Sequence, residues 1–188
     1  MSRYGMVINL DKCTGCIGCM IGCKNRNELP LGEDYNRVER VEQGTFPDVR
    51  QYYLPITCQQ CEDAPCINVC PVGASYRDDD GRVLVDQETC IGCQSCISVC
   101  PYAVRQINAE GVASKCTTCM GDEMPYCVQN CATGARLWGD FDDPNSDVSQ
   151  ALANYPEDSI HQLDNSAGNN PLTRYILSPR YAEWESGN

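Results

Sequence analysis

Apolar residues are spread thinly along this chain and gather in short clusters rather than long stripes. Val7-Ile8-Asn9 and Val83-Leu84-Val85 read as short strands, the second following an Asp80-Gly81 hairpin turn. Val38 to Val41 and Gln51 to Leu54 read as paired strands around a turn at Gly44 to Pro47. Ser146 to Asn154 reads as one short helix capped by Ser146 or Asp147. No apolar run approaches the roughly 20 residues that cross a bilayer. The opening MSRYGMVINLDKC has neither the long apolar segment nor the cleavage site of a secretory signal, so no signal peptide is expected.

So sparse a pattern does not by itself build a core. Leu, Ile, Val and Phe make up 35 of 188 residues, and the formal net charge is −12. That combination ordinarily marks disorder. Sixteen cysteines change the picture. If they hold metal, inorganic groups fill the interior and metal binding becomes part of the folding free energy. The metal-free chain is then expected to be largely unfolded. The negative charge argues against nucleic acid and anionic membrane surfaces as partners.

The cysteines fall into four runs. Cys90, Cys93, Cys96 and Cys100 have the C-x2-C-x2-C-x3-C-P spacing of a bacterial [4Fe–4S] ferredoxin, closed by Pro101. Three thiolates on a tight loop cup three corners of one cube. The fourth lies about a helical turn further on and faces another cluster. Cys13, Cys16, Cys19 and Cys23 repeat that spacing 77 residues earlier. Cys58, Cys61, Cys66 and Cys70 form a run with a longer second step. Cys116, Cys119, Cys127 and Cys131 form a similar one, with a longer gap still. Crossing the two middle runs gives one set of Cys58, Cys61, Cys66 and Cys100, and another of Cys70, Cys90, Cys93 and Cys96. By elimination the outer runs pair with each other. They give Cys13, Cys16, Cys19 and Cys131, then Cys23, Cys116, Cys119 and Cys127. The outer runs lack the closing proline, since Lys24 and Ala132 follow them.

Two other uses of cysteine fit less well. A disulfide framework would need strained, very short loops and normally a secreted chain. A zinc site pairs two C-x2-C knuckles and needs no third cysteine within seven residues. Elsewhere, His161 reads as a surface residue, and Trp138 and Phe141 as packing groups. Asp78-Asp79-Asp80 reads as a solvated turn. Lys24, Arg26 and Lys115 adjoin cysteines and either oppose cluster charge or are merely exposed. No glycine-rich nucleotide loop, phosphate loop or Ser/His/Asp set is present, so no catalytic residue is expected.

Several phrases resemble a known family: YGMVINLDKCTGCIGCMIGCKNRN, RVERVEQGTFPDVRQYYLPITCQQCEDAPCINVCPVGASY, VLVDQETCIGCQSCISVCPYAVR and SKCTTCMGDEMPYCVQNCATGARLWGDFDDPNS. The chain is similar to the four-cluster iron–sulfur subunits of the dimethyl sulfoxide reductase family, of the polysulfide, thiosulfate and tetrathionate reductase type. That resemblance implies four [4Fe–4S] clusters held by all sixteen cysteines in the crossed pattern. It also implies an electron-transfer role between a molybdopterin catalytic subunit and a membrane-anchored quinone-reactive subunit. Co-export with the catalytic subunit would place the complex on the extracytoplasmic face; a cytoplasmic complex is the alternative. Other readings are a subunit of a formate- or hydrogen-handling complex, a free-standing polyferredoxin, and a zinc-stabilised interaction module.

The expected fold is α+β: two bacterial two-cluster ferredoxin modules interleaved in sequence. Residues 58–101 form the inner module, and 1–57 with 102–140 the outer one. A β-hairpin is inserted at about 24–57, either covering a cluster or docking a subunit. Residues 141–188 form an extended tail that either wraps its own domain or is ordered by a partner, the second being expected because its isolated aromatics, Tyr155, Tyr175, Tyr181 and Trp184, would otherwise gain little.

Overall fold

The computed structural model describes residues 3–185. Its centre is a four-stranded sheet of order β8-β1-β10-β9, built from β1 (Tyr4–Asn9), β8 (Arg136–Asp140), β9 (Ile160–His161) and β10 (Arg174–Ile176). β1 runs antiparallel to β8 and parallel to β10. Side chains on β1 alternate between two apolar layers, as a strand covered on both faces must. Met6 and Ile8 enter the larger core with Tyr52, Leu54, Ile56, Leu163, Tyr175 and Leu177. Val7 enters the smaller one with Val148 and Ile176.

Two consequences correct the sequence reading. The apolar interior is more substantial than composition implied, because β1, β10 and the hairpin concentrate the few large apolar residues in one place. The tail packs on its own domain: β10 lies between β1 and β9, and Tyr175, Ile176, Leu177, Leu163 and Ala182 are buried. Three of its aromatics, Tyr155, Tyr175 and Trp184, pack at home, and Tyr181 stays exposed. Trp184 stacks on His161 with ring centroids 4.9 Å apart, and lies 5.5 Å from the ring of Tyr175. His161 is therefore half-buried against an aromatic face rather than a plain surface residue, and burial holds its imidazole below the usual histidine range.

The hairpin is longer than predicted. β2 (Asn36–Thr45) and β3 (Asp48–Thr57) pair along their whole length. Its base is structural: Tyr52, Leu54 and Ile56 are buried, and the Tyr53 ring lies against Gly15. Its tip carries the exposed Phe46. The predicted Val83 strand is β5 (Val83–Val85), paired with β4 (Ser75–Arg77), and the acidic turn joins them. A second small hairpin joins β6 (Arg105–Ile107) to β7 (Ala113–Lys115). Asp147–Ala153 forms the helix α5, with the Ser146 hydroxyl accepting from Ser149 N–H, as the cap reading required.

Four helices follow the cysteine loops. α1 spans Gly18–Arg26, α2 Pro65–Asn68, α3 Ser95–Ser98 and α4 Tyr126–Gln129. Pro71 and Pro101 stand just beyond α2 and α3, where a helix could not continue through them. α1 continues past Cys23, where Lys24 rather than proline leaves it free to do so, whereas α4 ends at Gln129 although Ala132 follows its closing cysteine. α2 packs on α3, and α1 on α4. The second contact is close because Gly22 leaves room for Asn130 and Tyr126.

Candidate metal centres

All four C-x2-C loops share one backbone device. The residue before the second cysteine is left-handed: Gly15 (φ 67°), Gln60 (49°), Gly92 (68°) and Thr118 (55°). A reversal of this kind turns successive N–H groups into the concave side of a loop, where they favour an anion. For Gln60 and Thr118 the conformation costs about 1–2 kcal/mol. Neighbouring contacts hold it. The buried Gln60 Oε1 accepts Val83 N–H at 2.7 Å, and Thr118 N–H donates to Cys116 Sγ at 3.3 Å. Glycine is required at Gly92 for a second reason: a Cβ there would run into the Gly111 carbonyl.

Beneath the loops the chain gathers thiols from distant segments. Cys58, Cys61, Cys66 and Cys100 line one small cavity. Cys13, Cys16, Cys19 and Cys131 line another. Cys23, Cys116, Cys119 and Cys127 line a third. The remaining four are arranged more openly. Cys93 is exposed and within electrostatic reach of Cys70, Cys96 is buried, and Cys90 Sγ accepts Ala113 N–H at 3.4 Å. Among the described residues, no three Cys, His, Asp or Glu side chains converge as a single bound ion requires. Four thiols spread around a cavity suit a larger group.

Burial dominates the chemistry of these thiols. It pushes Cys61 up to about 12 and Cys127 to about 11, and raises Cys23 and Cys66 as well. A buried thiol prefers to be neutral, so binding metal here must release protons. At the surface the Ser95 hydroxyl holds Cys93 below the usual thiol range. Further N–H groups point at sulfur: Tyr126 to Cys119 at 3.3 Å, Ala135 to Cys131 at 3.2 Å, and the Asn169 amide to Cys61 at 3.1 Å. Apolar walls, inward N–H groups and buried cations fit a negatively charged iron–sulfur cube held by thiolates.

Those cations are not the ones the sequence reading singled out, with one exception. Lys24 bonds the Glu33 carbonyl and Asp34, and Arg26 pairs with Asp122 at 2.7 Å, so both serve local contacts. Lys115 is buried and donates to the Cys116 carbonyl at 2.6 Å. Arg105 and Arg136 were missed, and are 5 % and 2 % exposed. The available signal was positional: each stands five residues after the cysteine that closes its run, Cys100 or Cys131. Gln59, Gln60 and Asn169, all buried beside cysteine loops, carried no such signal. Trp138 stacks on Tyr4 at 6.1 Å and Phe141 packs against Gly5, so both are packing groups. Asp78 and Asp80 both pair with Arg82 across their turn.

Comparison with known proteins agrees with this picture. The 4Fe-4S dicluster domain family matches residues 49–141. A protein of Halobacterium salinarum assigned as the iron–sulfur subunit of a dimethyl sulfoxide reductase is 38 % identical, over 94 % of this chain and 79 % of its own. A sulfite dehydrogenase subunit of Allochromatium vinosum is also 38 % identical, over 94 % and 83 %. A tetrathionate reductase subunit of Salmonella typhimurium is 37 % identical, over 93 % and 72 %. With its clustered thiols and these relatives, the chain belongs to the iron–sulfur electron-transfer subunits of the dimethyl sulfoxide reductase family, proteins that are not catalytic alone.

Proposed function

We propose that this chain holds four [4Fe–4S] clusters in the crossed pattern. It thereby conducts single electrons between a molybdopterin catalytic subunit and a quinone-reactive membrane subunit of an anaerobic respiratory oxidoreductase. The observation that carries the reading is the gathering of thiols from remote segments, such as Cys100 with Cys58, and Cys131 with Cys13, around separate small cavities. The packing of α1 on α4 and of α2 on α3 supports two ferredoxin modules, one threaded outside the other in sequence.

When bound, the clusters supply one-electron centres in series. The chain's own residues do the rest. The loops present N–H groups to the sulfurs, and the hairpin base, through Val38 and Pro55, forms one wall of the Cys13–Cys19 site. The exposed Cys16 and Cys93 bring two sites to the surface, where an electron could enter or leave.

The relatives do not fix the direction of flow, since one belongs to a dehydrogenase and another to a reductase. We propose an extracytoplasmic complex reached by export with the catalytic subunit. The test is anaerobic purification of the tagged chain from its native cells. A co-eluting molybdenum or tungsten protein, whose substrate oxidises or reduces the chain's brown chromophore, is the expected result. A chromophore that no associated protein can reduce or oxidise would overturn the assignment.

A further inference from the structure

Arg105 and Arg136 occupy corresponding places in the two halves of the molecule. Each opens a strand, β6 or β8, five residues past a run-closing cysteine. Each is almost fully buried, and among the described residues neither has a carboxylate within ion-pairing distance. Their neutral partners are few. Arg105 Nη1 donates to Ser75 Oγ at 2.9 Å, and Arg136 Nη2 to Asn36 Oδ1 at 2.7 Å. One nitrogen of each, Arg105 Nη2 and Arg136 Nε, is buried with no acceptor at all. An isolated buried cation is among the costliest things a fold can hold. Something must neutralise it.

The surroundings show what does. Arg105 lines the Cys58/Cys61/Cys66/Cys100 cavity and also faces Cys96, of the neighbouring set. Arg136 lines the Cys13/Cys16/Cys19/Cys131 cavity and also faces Cys127, of the set beside it. Each guanidinium therefore stands between two thiol sets of one module. A guanidinium keeps its charge in any such setting.

We infer that Arg105 and Arg136 are the internal counter-charges of the two cluster pairs. Each is shared by two neighbouring clusters and holds both more readily reducible. The inference rests on the four-cluster reading. A positive charge stabilises the reduced, more negative state of each cluster, so its removal shifts both clusters toward the oxidised form.

The test uses the whole complex, purified anaerobically, carrying Arg105→Gln, Arg105→Lys, Arg136→Gln or Arg136→Lys. Iron and sulfide analysis of the unmutated complex comes first; too few clusters there would sink the four-cluster reading itself. Spectroscopic redox titration of each cluster then follows. Glutamine at one site should move two clusters, and only those two, about tenfold toward oxidised, ~59 mV for a one-electron couple. Lysine should leave them near their original potentials. Loss of iron with glutamine but not with lysine would equally show that the charge is required. Unmoved potentials with full iron, or loss of iron with lysine as well as glutamine, would overturn the inference.

Discussion

The side-chain amide of Asn169 lies 3.1 Å from Cys61 Sγ, joining the C-terminal segment directly to a thiol 108 residues earlier. The same amide donates to the Tyr102 hydroxyl at 2.7 Å, and Asn169 has no exposed surface. An N–H aimed at a thiolate stabilises added negative charge, so on the proposed ligation the segment furthest from the cysteine runs would help set the potential of one centre. Asn169→Leu should therefore lower the potential of the centre that Cys61 serves and leave the outer pair unchanged. A shift of up to about tenfold in its reduction equilibrium, ~59 mV, is expected from redox titration.

The tail's place in the sheet makes a second prediction. Tyr175 and Ile176 have no exposed surface and Leu177 almost none, and each such residue contributes about 1.5–3 kcal/mol by burial. Their joint loss would remove much of a total stability of about 5–15 kcal/mol. A chain ending at Tyr155 should be insoluble or retain little iron. Replacing exposed Phe46 at the hairpin tip by Ser should change the melting temperature hardly at all.

Gly92 offers a sharper local test. Its φ is 68°, and a Cβ would collide with the Gly111 carbonyl. Gly92→Ala should deform the Cys90–Cys96 loop and deplete the centre there, read as roughly a quarter of the iron lost. Gly32→Ala shares the left-handed strain, at φ 89°, but meets no neighbour and lies outside the cysteine runs. It should cost only about 1–2 kcal/mol of stability, with full iron content.

Removing metal should not affect the molecule evenly. The inner apolar cluster is Ala64, Val83 and Ala113 with Cys66 and Cys96, so thiols form much of it. The main core holds Ile8, Leu54, Ile56, Tyr175 and Leu177. Chelation should abolish hydrogen-exchange protection in β4 to β7 first, with β1 and β10 the last to open. Uniform loss across all of them would mean that the clusters alone sustain the fold.

Chemistry was more legible in the sequence than packing. Cysteine spacing is a local signal, and it located the loops and the helical turn after them, as the Asp80-Gly81 turn located the Val83 hairpin. The Ser146 cap was legible because a cap acts within three residues. The tail was not, because β10 contributes only Arg174–Ile176 and its partner β1 lies some 170 residues away. Two short apolar stretches that make one sheet leave no period in either. Arg105 and Arg136 were hidden for the opposite reason. Charged residues are normally exposed, and only the thiols around them reveal why these are buried.

The most direct measurement is the iron and acid-labile sulfide content of the anaerobically purified chain. About sixteen of each is predicted, from four irons in each of four cubes. Zinc in place of iron, or iron well below that level in a chain that is folded and stable, would contradict the account.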